Sequence, residues 1–139
     1  MSASMTLYDT TLRDGAQCED VQLTTPDKIK IALKLDELGV DYIEGGWPGA
    51  SPVDTDFFRE IQSYSLDHAR VAAFGSTHHP AHAADADPTL RALISCGAPV
   101  LTIFGKSSER HAKDALRLVE HRAVDYLNIK LMKCGGIRE

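Results

Sequence analysis

A chain of 139 residues with 43% hydrophobic and 25% charged residues is long enough to bury one compact core and is one domain at most. Fifteen lysines and arginines against 20 aspartates and glutamates leave a formal net charge of -5. That balance argues against nucleic acid or an anionic membrane as the main partner, since both select basic faces. No apolar run approaches the roughly 18 residues of a membrane span, and the opening M-S-A-S-M-T lacks the basic-then-apolar layout of a leader.

In chain order, the spacing predicts a first strand over 5–8 that runs into the charged turn L-R-D-G. Thr25 is placed to cap a helix with Pro26 at its first position, and Gly39 stops it. Within it Ile29, Ala32, Leu33 and Leu38 fall mostly on one face. Residues 42–46, Y-I-E-G-G, read as a second strand ended by W-P-G. A helix over 54–63 follows, with Phe57, Phe58 and Ile61 as its buried side. Residues 71–75 form a third strand, 89–96 a short helix ended by Gly97, and 100–105 a fourth strand. A helix over 109–122 and a fifth strand over 126–131 complete the series.

Strands thus recur about every 30 residues, the spacing of βα repeats around a parallel sheet. The fold class is α/β, a partial (βα)8 TIM barrel of four βα units plus a fifth parallel strand. A full barrel typically takes about 250 residues. Either the sheet stays open, or another chain completes it, or the sequence is a fragment. An open parallel sheet has exposed edges, so self-association is expected.

Each strand ends in polar or glycine-rich residues, R-D-G, G-G-W-P-G, G-S-T-H-H, G-K-S-S and K-C-G-G, and in parallel α/β folds those ends form the functional face. Asp9, Arg13 and Asp14 follow the first strand. Carboxylates there suit a hard divalent cation, and an arginine beside them suits a carboxylate or a developing oxyanion; the competing reading is a solvated turn of mutually neutralising charges. Glu44 lies inside the apolar second strand, where burial alone is costly. Pairing, with Arg13 for example, and substrate contact are both open to it.

His78, His79 and His82 put three imidazoles in five residues, but Pro80 breaks helical presentation, which favours a solvated loop over a metal site. Lys106 in F-G-K-S-S lacks the spacing of a phosphate-binding loop. Lys130 shares one side of the fifth strand with Asn128, placing it either as a base of lowered pKa or as a snorkelling rim residue; Lys133 follows it. Cys18, Cys96 and Cys134 are odd in number, widely spaced and without C-x-x-C, as expected of reduced thiols in a cytoplasmic protein.

The stretches L-Y-D-T-T-L-R-D-G-A-Q, K-L-D-E-L-G-V-D-Y-I-E-G-G-W-P-G, A-A-F-G-S-T and V-L-T-I-F-G-K-S together resemble the N-terminal part of the citramalate synthase and 2-isopropylmalate synthase family, metal-dependent (βα)8 barrels. The resemblance implies a Claisen-type condensation of acetyl-CoA with pyruvate or another 2-keto acid. It implies that Arg13 polarises the keto oxygen, that Asp14 ligates a divalent metal, Mg²⁺ or Mn²⁺, and that Gln17 lies at the same substrate-binding mouth. The family takes further metal ligands from an H-x-H pair and a catalytic glutamate from a D-A-E-H-like segment, and this sequence has neither. One aspartate holds such a cation weakly, so metal binding is expected to be weak or lost.

The segment D-A-L-R-L-V-E-H-R-A-V-D-Y-L-N-I-K-L-M-K-C-G-G-I resembles a late βα unit of the enolase superfamily, in particular dipeptide epimerases. That resemblance implies an acid/base role for Lys130. The expected organisation is therefore residues 1–108 as citramalate-synthase-like βα units and residues 109–139 as an enolase-type helix-strand unit, joined as a chimera. Two functions follow: a condensing-enzyme fragment with little activity alone, or a half-barrel scaffold with none.

Overall fold

The computed structural model describes residues 5–79 and 82–105. In chain order these form strand β1 (Tyr8–Asp9), helix α1 (Thr25–Glu37), strand β2 (Tyr42–Gly46), helix α2 (Pro52–Ile61), strand β3 (Arg70–Ser76), helix α3 (Pro88–Ser95) and strand β4 (Val100–Phe104). Short 3-10 turns cover Gly15–Gln17 and Ala84–Ala86. The predicted helix over 109–122, the fifth strand over 126–131, and Lys106, Lys130, Lys133 and Cys134 lie outside the described residues.

All strand pairs are parallel and the sheet order is β1-β2-β3-β4, each strand beside its neighbour in sequence. One-directional winding of βα units is how a TIM barrel begins, and the fold is α/β as expected. The sheet is strongly curled. Its outer strands β1 and β4 would lie about 14 Å apart if flat, at about 4.8 Å per step, yet the Tyr8 hydroxyl sits 2.6 Å from Thr102 Oγ1.

The helices begin where local chemistry favours it. The N-cap of α1 is Thr24, one residue before the expected Thr25, because a complete capping box forms with Asp27: Thr24 Oγ1 accepts from the Asp27 N–H while Asp27 accepts from the Thr24 N–H. Ser51 caps α2 through the Asp54 N–H, and Asp87 caps α3 through the N–H groups of Thr89 and Leu90.

The buried face of α1 differs from expectation. Ile29 and Ala32 are buried with Lys28 and Asp36, whereas Leu38 is 77% exposed. Leu38 is the C-cap, where the helix no longer presents its apolar stripe. Asp36 goes inward because its carboxylate accepts three backbone N–H groups, from Asp67, His68 and Ala69, at the entrance to β3. Phe57, Phe58 and Ile61 are buried as expected and join Leu12, Ile43, Val71 and Leu93 in one core.

A register shift between Glu44 and Gly46 bulges β2 at its C-terminal end. Gly45 allows this because a Cβ there would lie 2.3 Å from Phe57 Cε1. Gly46 has φ +147°, and a Cβ on it would meet the Asp54 carboxylate at 2.6 Å. The paired glycines therefore let α2 press against the end of the strand.

Candidate functional site

The turn after β1 is built to hold two charged side chains at the strand ends. Asp9 forms a local turn, accepting from the Thr11 N–H at 2.9 Å and the Thr11 hydroxyl at 3.0 Å. The Thr10 carbonyl accepts from the N–H groups of Arg13, Asp14 and Gly15. Leu12, fully buried, plugs the turn into the core. The cluster expected from Asp9, Arg13 and Asp14 thus divides: Asp9 shapes the backbone, and Arg13 and Asp14 stand on it.

Arg13 donates from Nε to Glu44 Oε2 at 2.5 Å and from Nη1 to Asp14 Oδ1 at 2.9 Å. Glu44 accepts on its other oxygen from the Tyr8 hydroxyl at 3.0 Å. Of the two roles open to Glu44, the geometry shows the pairing with Arg13. The Arg13 guanidinium lies over the Phe74 ring, 3.9 Å from its centroid, within the range of a cation–π contact. Trp47 meets Phe74 edge-on at 5.7 Å, and Phe104 stacks on it at 6.2 Å. Two carboxylates and one aromatic face therefore hold the guanidinium in one orientation.

Gln17 closes the neighbouring 3-10 turn and is exposed. Asp14 is the carboxylate at the mouth that could contribute a ligand to a divalent cation. No group of three or more His, Cys, Asp or Glu side chains able to hold a metal comes together among the described residues. A hard cation wants about six oxygen ligands. The described donor set does not fit the metal by itself. The imidazoles of His79 and His82 sit 5.8 Å apart, with the His79 N–H donated to Asp87.

Tyr8, Phe74 and Thr102 were not singled out from sequence, though each lies in a strand that was. The same holds for Lys28 and Asp54, an ion pair between the first turns of α1 and α2. The second Asp54 oxygen accepts the Trp47 N–H at 3.0 Å, fixing the loop after β2. The available signal was placement: Lys28 and Asp54 fall in helix first turns, which lie at the strand C-terminal ends of a βα fold.

Burial raises the Tyr8 phenol above its usual range, opposed by the bond to Thr102 and reinforced by the charge of Glu44. It is a neutral hydroxyl that donates.

Parallel strands in sequential order, each followed by a helix, are the opening pattern of a TIM barrel, and Arg13 and Asp14 stand at its strand C-terminal ends. A model of the HMGL-like family matches residues 4–131, and the chain belongs to that family. An (R)-citramalate synthase of Sulfolobus acidocaldarius is 47% identical over 137 residues, 97% of this chain and 26% of that relative. Another, of Geobacter sulfurreducens, is 52% identical over 112 residues, 81% of this chain and 21% of that relative. A 2-isopropylmalate synthase of Methanocaldococcus jannaschii is 37% identical over 134 residues, 95% of this chain and 24% of that relative. The chain spans about a quarter of the length of these relatives. No helix among the described residues is long and apolar enough to cross a membrane.

Proposed function

We propose that this chain carries the keto-acid-binding corner of a citramalate-synthase-type enzyme, an acyltransferase that condenses acetyl-CoA with pyruvate or another 2-keto acid. The observation that carries the reading is Arg13, held at Nε by Glu44 and at Nη1 by Asp14 and backed by Phe74, on the turn after β1. A guanidinium so fixed donates to a keto oxygen without reorganising, and it stabilises the alkoxide that develops there when the acetyl carbon attacks C2. Asp14 would contribute one ligand to the Mg²⁺ or Mn²⁺ of this family, and Gln17 stands at the same mouth.

The family match running to residue 131 supports one family across the connection between residues 105 and 113. A chimeric division at residue 108, with an epimerase-type role for Lys130, is the competing reading, and the family match across that junction weighs against it. Free thiols at Cys18 and Cys96 support a reducing, cytoplasmic location. Exposed Leu7 beside edge strand β1 and Leu101 in β4 support self-association with a second copy, which size-exclusion chromatography tests.

The deciding experiment follows free thiol release from acetyl-CoA with pyruvate and Mn²⁺. Turnover lost in Arg13→Ala supports the reading. Absence of turnover together with absence of pyruvate binding would leave a half-barrel scaffold.

A further inference from the structure

The Tyr8 hydroxyl carries one proton, and two oxygens compete for it. Glu44 Oε1 lies 3.0 Å away and Thr102 Oγ1 2.6 Å away. An ionised carboxylate can only accept, so the phenol proton goes to Glu44 and Thr102 must donate to the phenol oxygen. The direction of the whole chain is then set: Thr102 to Tyr8, Tyr8 to Glu44, and Arg13 to Glu44 from the other side. Its members come from β4, β1, β2 and the turn after β1, and it crosses the concave face of the curled sheet.

Glu44 is 2% exposed, whereas Tyr8 is 41% exposed and reaches it from the open side of the sheet end. With Oε1 held by Tyr8, Oε2 faces the Arg13 Nε, and the fork of the guanidinium is rotated into one orientation over Phe74. Without the phenol, Oε1 loses its donor and the carboxylate is free to turn about its Cγ–Cδ bond, so that Oε2 no longer faces the Arg13 Nε in one fixed orientation.

We propose that Tyr8 is a positioning residue, which, itself oriented by Thr102, fixes the Glu44 carboxylate so that Oε2 holds the Arg13 Nε in one orientation. The functional consequence rests on the keto-acid role of Arg13; the geometric claim does not.

The test is therefore double, on the full chain. Hydrogen exchange of the Arg13 Nε–H, followed by nitrogen-15 NMR, reads the geometry directly. Tyr8→Phe is expected to accelerate it about tenfold or more, the size of a hydrogen bond to a charged group, with backbone amide protection in β2 and β3 unchanged. Thr102→Val is expected to give a smaller change in the same direction, roughly threefold, and it decides the matter if Tyr8→Phe fails to fold. Pyruvate titration by calorimetry should weaken about tenfold in Tyr8→Phe and disappear in Arg13→Ala.

Unchanged Nε–H exchange in both variants overturns the proposal. Accelerated exchange in a chain whose parent form binds no pyruvate upholds the positioning and removes the keto-acid reading instead.

Discussion

Arg13 Nε and Glu44 Oε2 lie 2.5 Å apart at a site where the glutamate side chain is 2% exposed and the arginine 11%. The pair joins the turn after β1 to the middle of β2, across 31 positions of sequence. At that depth the penalty for leaving one charge without its partner exceeds what the pair adds over an apolar replacement.

Glu44→Ala is accordingly expected to destabilise the chain by about 3–5 kcal/mol. Glu44→Gln keeps an acceptor for Arg13 and should cost clearly less. Urea unfolding of the two variants with an unchanged slope is the measurement, and equal losses would show that charge plays no part.

The Lys28–Asp54 pair should respond asymmetrically. The Lys28 side chain is 3% exposed and the Asp54 side chain 19%, and Asp54 also accepts the Trp47 N–H. Asp54→Ala strands a buried ammonium and a backbone donor, for about 3 kcal/mol or more. Lys28→Met leaves a carboxylate that still has Trp47 and water, for about 1–2 kcal/mol. Thermal denaturation of both single variants and the double variant tests this, with the double variant recovering part of the Asp54→Ala loss.

Gly45→Ala forces a methyl group toward Phe57 Cε1. The expected cost is about 1–3 kcal/mol, the usual range for overpacking. Phe57→Leu, added to Gly45→Ala, should cost less than the sum of the two single changes, because the shorter side chain vacates the contested space. Strict additivity in a double-variant cycle would exclude that contact as the cause.

Acid stability should depend on two aspartates. Burial pushes the Asp36 carboxyl up, but the backbone N–H groups of Ala69, Asp67 and His68 outweigh it and hold the group below its ordinary value. Asp87 is also lowered, first by the His79 N–H, against burial, and further by the N–H groups of Leu90 and Thr89. A carboxyl lower in the folded than the unfolded state stabilises fully above the unfolded value of about 3.9, and that contribution is lost as pH falls through the folded value. The urea midpoint of the parent chain should therefore drop steeply below about pH 4. Asp36→Asn should be less stable at pH 7 and lose less on acidification; a parallel pH profile would contradict the role given to Asp36.

Much of this was legible beforehand. Short apolar runs and the helix start at Pro26 mark elements by local sterics and hydrogen bonding, so β2, β3, β4 and the three helices fall within a few residues of expectation. Lys28 and Asp36 escaped because hydrophobic periodicity records apolar burial only. A charged side chain goes inward when a partner from elsewhere meets it, and Asp54 and the N–H groups of residues 67–69 are supplied by other elements.

From the sequence alone came the βα order, the polar face at the strand ends, and Arg13 with Asp14 on the turn after the first strand. Each follows from patterns a few residues long. Tertiary structure alone decided that Asp9 turns to Thr11, that Glu44 belongs to Arg13, and that Tyr8 and Thr102 meet across 94 positions. Alternation along a strand gives the face a side chain points to, but partners on that face depend on strand order and on how far the sheet curls. Those are properties of the packed sheet, set by which helices and glycines press against it.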